Sequence, residues 1–405
     1  MDVLHTPNSI NRRQKSKKIT IGARNTILKN IFALIEKNNS FLLIGHKTPD
    51  EDCYASLVAA ALLLIKFHKT VTIFVQEPFP EQLRFLHGMC NYNKIAVHCK
   101  TIPNIEKPDV IAILDTPNPE MIAAHGCIYT FLSDPDIPKI ELDHHFFSDA
   151  AYCGESDYAL VLHASSTCEI LCFACYKLLH KPDILERYLI EELFARNLVL
   201  TLLTGMLGDA KMGNYLVTKR EKKSFFYFSQ YLNQILKEKT SNETHTKNID
   251  SMDVLLNVLE TMSEEDEKIY HELLKHELRS GTVGIMILTK QESEHFLKTI
   301  NYARFVGIIK TVTNILAENV NGVGISAYYD CDARSNKIHC RIRASESARG
   351  INLHPVLSHF HIREGGGHPG AIAFRIKQAE VTDLPAFITE IGTFIETTLL
   401  RRYEL

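Results

Sequence analysis

His46, Asp50 and Asp52 fall within seven residues, directly after the apolar run FLLIG at 41–45. Asp115 follows a second such run, DVIAIL, and Asp143, His144 and His145 follow a third, IEL. Carboxylates gathered without lysine or arginine partners repel one another, and burying them unpaired is expensive. A divalent cation removes that conflict. Aspartate oxygens mixed with imidazole nitrogens suit Mn²⁺, with Mg²⁺ or Co²⁺ as substitutes, better than Ca²⁺. The number of donors implies two ions, a pair that would lower the pKa of a shared water and stabilise charge on a transferring phosphoryl group.

Such donors need scaffolding, and the flanking sequence supplies it. FLLIG (41–45), TVTIFV (70–75), DVIAIL (109–114), CIYTFL (127–132) and IEL (140–142) read as strands, while YASLVAAALLLIKF and STCEILCFACYKLL read as helices. That alternation predicts an α/β domain with a largely parallel sheet. Ligands of such sheets bind in the crevice beyond the carboxyl ends of the strands, so the three clusters are expected to converge there. Residues 1–38 read as an extension with one helix, 39–214 as the first domain, and 215–278 as a charged helical connector. Residues 279–405 read as a smaller α/β domain, with GTVGIMIL, GVGISAYYD and KIHCRIRAS as strands, NYARFVGIIKTVTNIL as a helix, and a cleft facing the first domain.

At 405 residues, with 45% hydrophobic and 23% charged residues, two globular domains are expected. A net charge of −3 argues against binding long nucleic acid over the whole surface. The basic runs RRQKSKK (12–18) and KREKK (219–223) read as a solvated tail and a solvated helix face. No apolar run is long enough to cross a bilayer at ~20 residues, and none resembles a secretory h-region. Ten cysteines then read as reduced thiols of a cytoplasmic protein, with Cys168, Cys172 and Cys175 on one helical face as core.

HKTPDED with its following serine, the Leu-Asp at Asp115, DHH at 143–145 and Gly-Asp at Asp209 resemble, in order, the four motifs of the DHH phosphoesterases. HPVLSHFHIREGGGHPGAIAF (354–374) is similar to the glycine-rich motif of the DHH-associated C-terminal domain. The resemblance spans roughly residues 40 to 400. It implies that His46, Asp50 and Asp115 hold one metal, and that Asp52, Asp115, His144 and Asp209 hold the other. It also implies that His145 and His368 face the substrate phosphate and that Arg343 clamps it, with Arg341 and Arg349 as weaker candidates. Gly365, Gly366 and Gly367 read as a loop that lets the backbone approach an anion. Ser166 and Thr167 match a stretch near the substrate, and they equally suit the N-cap of the following helix. Two positions depart from the family pattern: Ala210-Lys211 stand where Thr-Gly is usual, and Ala55 stands where glycine is usual.

The resemblance implies a two-metal phosphodiesterase acting on short nucleic acid or a dinucleotide: nanoRNA, pApA or 3′,5′-adenosine bisphosphate, with cyclic-di-AMP as an alternative. Pyrophosphatases and exopolyphosphatases of the family carry a different C-terminal domain, and RecJ-type exonucleases are usually longer. A non-catalytic nucleotide sensor is the competing class, which has no need of a complete metal set. No membrane partner is expected, and a homodimer is compatible with this branch.

Overall fold

FLLI forms the heart of strand β1 (Ser40–Ile44), buried on both faces, as a near-continuous apolar run in a parallel sheet must be. Phe41 and Leu43 enter one core, Leu42 and Ile44 another on the opposite face. The computed structural model describes residues 13–15, 19–146, 150–210, 216, 219–243, 249–330, 335–348 and 350–400. β1 pairs in parallel with β2 (Thr70–Val75) and β4 (Val110–Leu114), and β3 (Ala96–Cys99), β5 (Lys139–Asp143) and β6 (Ala159–Val161) complete a parallel sheet of order β3-β2-β1-β4-β5-β6. The order reverses between β1 and β4, and that switch point opens a crevice at their carboxyl ends.

Helices α1 (Ile21–Lys37), α2 (Glu51–Lys66), α3 (Arg84–Tyr92), α4 (Cys127–Ser133), α5 (Thr167–Leu179), α6 (Pro182–Arg187) and α7 (Arg196–Ala210) flank the sheet. Residues 127–132, expected as a strand, belong to α4. Ile128 is buried and Cys127, Phe131 and Leu132 pack beside it, while Tyr129 points outward at 59% exposure. A six-residue apolar run cannot separate strand from helix by periodicity alone. Cys168, Cys172 and Cys175 are buried free thiols on α5, as the core reading expected.

The connector holds α8 (Lys219–Glu243), α9 (Met252–Glu260) and α10 (Glu264–Leu274). Phe225, Leu232 and Leu236 of α8 and Leu255 of α9 join the first core, whereas Leu273 of α10 joins the second domain. That domain comprises β7 (Glu277–Ser280), β8 (Val283–Ile287), α11 (Lys290–Thr299), α12 (Tyr302–Asn319), β9 (Val323–Tyr329), β10 (Lys337–Ala344), α13 (His354–His359), β11 (Glu364–His368), β12 (Ala371–Lys377) and α14 (Leu384–Phe394). Its sheet, ordered β11-β12-β10-β9-β8-β7, is mixed: only β8 and β9 run parallel. Among the described residues no helix is long and apolar enough to cross a membrane.

Two readings are corrected here. GGGH is an edge strand, not a loop: Gly365 to His368 pair with Phe374 to Ala371 across β11 and β12. Gly367 sits at φ +135°, where a Cβ would meet the Ala371 carbonyl oxygen at 2.1 Å, so the glycine serves a tight strand approach. The basic run at 12–18 is not wholly solvated. Gln14 bridges to Ala151, Arg13 stacks on Tyr152 at 4.1 Å, and the Lys15 side chain is fully buried.

Candidate metal centre

His46, two residues past the end of β1, is held by backbone pairing on both sides: Ala123 N–H donates to the Gly45 carbonyl and Lys47 N–H to that of Met121, both at 2.8 Å. Asp50 caps α2 by accepting from Cys53 N–H at 3.2 Å. Asp115 ends β4 at φ +51°, a left-handed conformation that Asp and Asn tolerate better than most residues. His144 and His145 leave β5, and Asp209 closes α7.

These elements bring the donors together. His46 Nε2 lies 3.7 Å from Asp115 Oδ2 and 3.8 Å from Asp50 Oδ1. His144 Nε2 lies 3.3 Å from Asp115 Oδ1 and 3.2 Å from Asp209 Oδ2. Asp115 therefore faces both histidines. Donor atoms of Asp115, His144 and His145 lie within 4.8 Å of one another, as do those of His46, Cys53 and Asp115, and those of His144, Asp209 and His368. Neither ring nitrogen of the buried His144 has a properly aligned hydrogen-bond partner among the described residues. An imidazole nitrogen facing two carboxylates without a sound hydrogen bond is the donor arrangement a cation suits.

Asp52 is also buried, but both its oxygens face the start of α5, accepting from Thr167 N–H at 2.6 Å and Cys168 N–H at 3.0 Å. Gly205 of α7 leaves it room, since a Cβ there would lie 2.4 Å from Asp52 Oδ1. Burial, then the neighbouring Asp115 and Asp209, push the Asp52 carboxyl well above the usual carboxylate range. Ser166 is the α5 N-cap, accepting from Glu169 N–H at 3.0 Å. Thr167 instead donates its hydroxyl to Asp115 at 3.0 Å, so only Ser166 is the cap and Thr167 supports the centre.

His145 is fixed by Asp143, which accepts from its backbone N–H at 2.8 Å and pairs with Nδ1 at 2.7 Å. Lys15 in turn holds Asp143 at 2.7 Å and Glu141 at 2.9 Å, and donates to the Thr116 carbonyl at 2.7 Å. Burial works to lower the Lys15 pKa, but Asp143 and Glu141 outweigh it and hold the ammonium above the usual lysine range.

The second domain supplies the opposite wall. The His368 ring centroid is 5.6 Å from that of His144. Burial, then the neighbouring His144, press His368 down to about 4. Arg343 is nearly buried on β10, and Lys310 of α12 crosses to Glu51 at 3.1 Å. Gly366 and Gly367 of β11 are half-buried beside His368, with Gly365 buried behind them. Lys211 and Arg349 lie outside the described residues.

Cys53, Lys15, Glu51 and Lys310 join the site without having been read from the sequence. Burial pushes the Cys53 thiol up to about 11, so it is a neutral neighbour of His46 and Asp115 in the metal-free protein.

No family model and no curated protein matches the sequence. The fold, two α/β lobes, is similar to that of an exopolyphosphatase-related protein from Bacteroides fragilis. That likeness covers 91% of this chain and 96% of the other at 17% identity, with a TM-score of 0.62. At that identity it establishes the fold. RecJ from Thermus thermophilus in complex with Mn²⁺ also matches, at 14% identity over 94% of this chain and 55% of its own, with a TM-score of 0.42. The pGpG-specific phosphodiesterase PggH from Vibrio cholerae matches at 14% identity over 88% of this chain and 99% of its own, with a TM-score of 0.31.

Proposed function

We propose that the chain is a metal-dependent phosphodiesterase of the DHH family that hydrolyses short oligoribonucleotides or nucleotide phosphoesters. One observation carries this reading: Asp115 is shared by two groups of imidazole and carboxylate donors, and that shared centre faces His368 across the cleft. His46, Asp50 and Asp115 would hold one divalent ion, Mn²⁺ by preference, and Asp115, His144, Asp209 and Asp52 the second. Bound there, such ions would lower the pKa of water and neutralise charge on phosphoryl oxygens.

The rest falls to the chain. Asp143 orients the His145 ring through Nδ1, so substrate contact falls to Nε2. His368, kept neutral at pH 7, can donate one hydrogen bond to a phosphoryl oxygen and does not add to the positive field. Arg343 contributes a fixed charge and a planar fork suited to phosphate. Buried walls on both sides exclude bulk water and strengthen these contacts.

The test is turnover, with Mn²⁺, of a panel of oligoribonucleotides, pApA, cyclic-di-AMP, 3′,5′-adenosine bisphosphate, pyrophosphate and long single-stranded DNA. Rates should fall steeply as oligoribonucleotides lengthen beyond a few residues. Preference for long single strands with a steep salt dependence would favour an exonuclease instead.

His368→Ala should keep Mn²⁺ affinity while lowering kcat/KM ten- to thousandfold, on the order of 1.4–4 kcal/mol, as for one lost transition-state contact. Calorimetry beside steady-state kinetics decides the matter. Because His368 lies within donor reach of His144 and Asp209, lost Mn²⁺ affinity would make it a ligand instead.

A further inference from the structure

Several cysteines have ordinary backbone surroundings: Cys127, Cys153 and Cys168 turn sulfur to carbonyl oxygens at 3.7 Å, 3.7 Å and 4.0 Å. Cys53 differs. It is fully buried, and its Sγ lies within 4.8 Å of donor atoms of both His46 and Asp115. Its place is set by a third residue of the same group, because Asp50 accepts its backbone N–H at 3.2 Å and so fixes the first turn of α2. Gly45 leaves the sulfur its space, since a Cβ there would overlap it. Nothing in the resemblance to the four motifs gives Cys53 a role.

Bond lengths decide whether the thiol belongs with the neighbouring donors. Ligands of one tetrahedral ion, bound at ~2.0–2.3 Å, stand roughly 3.3–3.8 Å from one another. His46 Nε2 already stands 3.7 Å from Asp115 Oδ2 and 3.8 Å from Asp50 Oδ1. A sulfur within 4.8 Å of His46 and Asp115 joins them by a movement of about 1 Å or less. The set is then one imidazole nitrogen, two carboxylate oxygens and one sulfur. Thiolate and imidazole favour Zn²⁺, whereas carboxylate-rich sets favour Mn²⁺ or Mg²⁺. Among the described residues no cysteine joins the donor groups around His144.

We propose that Cys53 is a sulfur ligand of the His46 site and makes that site select a thiophilic divalent ion, Zn²⁺, over Mn²⁺. As the metal–sulfur bond forms, the thiol proton passes to solvent. The His46 site itself rests on the metal-dependent reading. Mn²⁺ then belongs to the oxygen-rich site of Asp52, Asp115, His144 and Asp209. It fills the His46 site only where no thiophilic ion competes. Asp115 is thus shared by two unlike ions.

Co²⁺, a spectroscopic substitute for Zn²⁺, reports the sulfur directly. Full-length protein, kept reduced and stripped with EDTA, is titrated with Co²⁺. Wild type should develop a near-ultraviolet thiolate-to-metal charge-transfer band. Cys53→Ser should lose that band and keep the Co²⁺ absorption of the other site. Competition calorimetry should show Zn²⁺ affinity lowered at least about tenfold in Cys53→Ser, and Mn²⁺ affinity changed by less than about threefold. Bound Co²⁺ without the band in wild type would overturn the assignment, whether or not the variant folds. So would a band that survives in Cys53→Ser, because it would come from another cysteine. Hydrolysis of bis(p-nitrophenyl) phosphate with Zn²⁺ and Mn²⁺ is measured alongside. The band without hydrolysis would keep the sulfur ligand and sink the catalytic reading, whereas hydrolysis with Co²⁺ bound but no band would do the reverse. No Co²⁺ binding at all would remove the metal centre and the sulfur ligand together.

Discussion

Asp115→Asn should lower turnover at least about a thousandfold with saturating Mn²⁺, because a carboxylate shared by two ions is lost from both. Asn is the sharper variant than Ala, since it tolerates the φ of +51° at this position and can still accept the Thr167 hydroxyl. The metal-free fold should not suffer. Asp52 is pressed upward by burial and then by Asp115 and Asp209, so removing one negative charge relieves repulsion. Against that, burial works to lower the His144 pKa while Asp115 and Asp209 hold it above the usual histidine range, an attraction the variant weakens. Thermal unfolding in EDTA should therefore change little, while the rise in Tm that wild type shows on adding Mn²⁺ should be largely lost. A variant retaining near-wild-type rate would end the shared-ligand assignment.

The second large effect is expected far from the predicted motifs. Lys15→Met should destabilise the protein by about 3–5 kcal/mol, as when one partner is removed from a buried ion pair. Its ammonium stands between Asp143 and Glu141, and all three side chains are fully buried. Methionine fills the volume but leaves two carboxylates facing each other in a low dielectric. Asp143 keeps the His145 N–H and Nδ1, and Glu141 Oε2 keeps the Cys153 and Gly154 N–H at 2.8 Å each. Glu141 Oε1, however, faces Lys15 alone, so the strain falls chiefly on Glu141. Asp143 orients His145, so catalysis should suffer beyond the loss of folded protein. Urea unfolding gives the stability term, and kcat measured where the variant is fully folded gives the other. A stability change below about 1 kcal/mol would mean that this buried cation is readily replaced.

Much of the centre was legible in the chain itself. His46, Asp50 and Asp52 lie within one strand-to-helix turn, so local sequence alone sets which residues leave β1 together. Three apolar runs, each ending in Asp or His, determine a parallel sheet with donors at one edge, because side chains at carboxyl ends of parallel strands share a crevice. The resemblance of the four motifs added the shared place of Asp115.

What the tertiary structure decided is every contact between distant segments whose local signal is neutral. Lys15 sits among five basic residues of a run that reads as solvated, and only the bridge to Ala151 carries it to Asp143, 128 positions away. CIYTFL is apolar enough for either a strand or a helix, and packing against Ile111 and Ile113 from one side selected the helix. GGGH reads as a loop because glycine permits one, yet pairing with β12 makes it an edge strand. Arg341 and Arg375 are 34 positions apart and share one face only through the β10–β12 register, which a one-residue slip of either strand would abolish. Periodicity records which face of its own element a residue occupies; which other element lies against that face is set by topology, and that is where this protein's cleft is made.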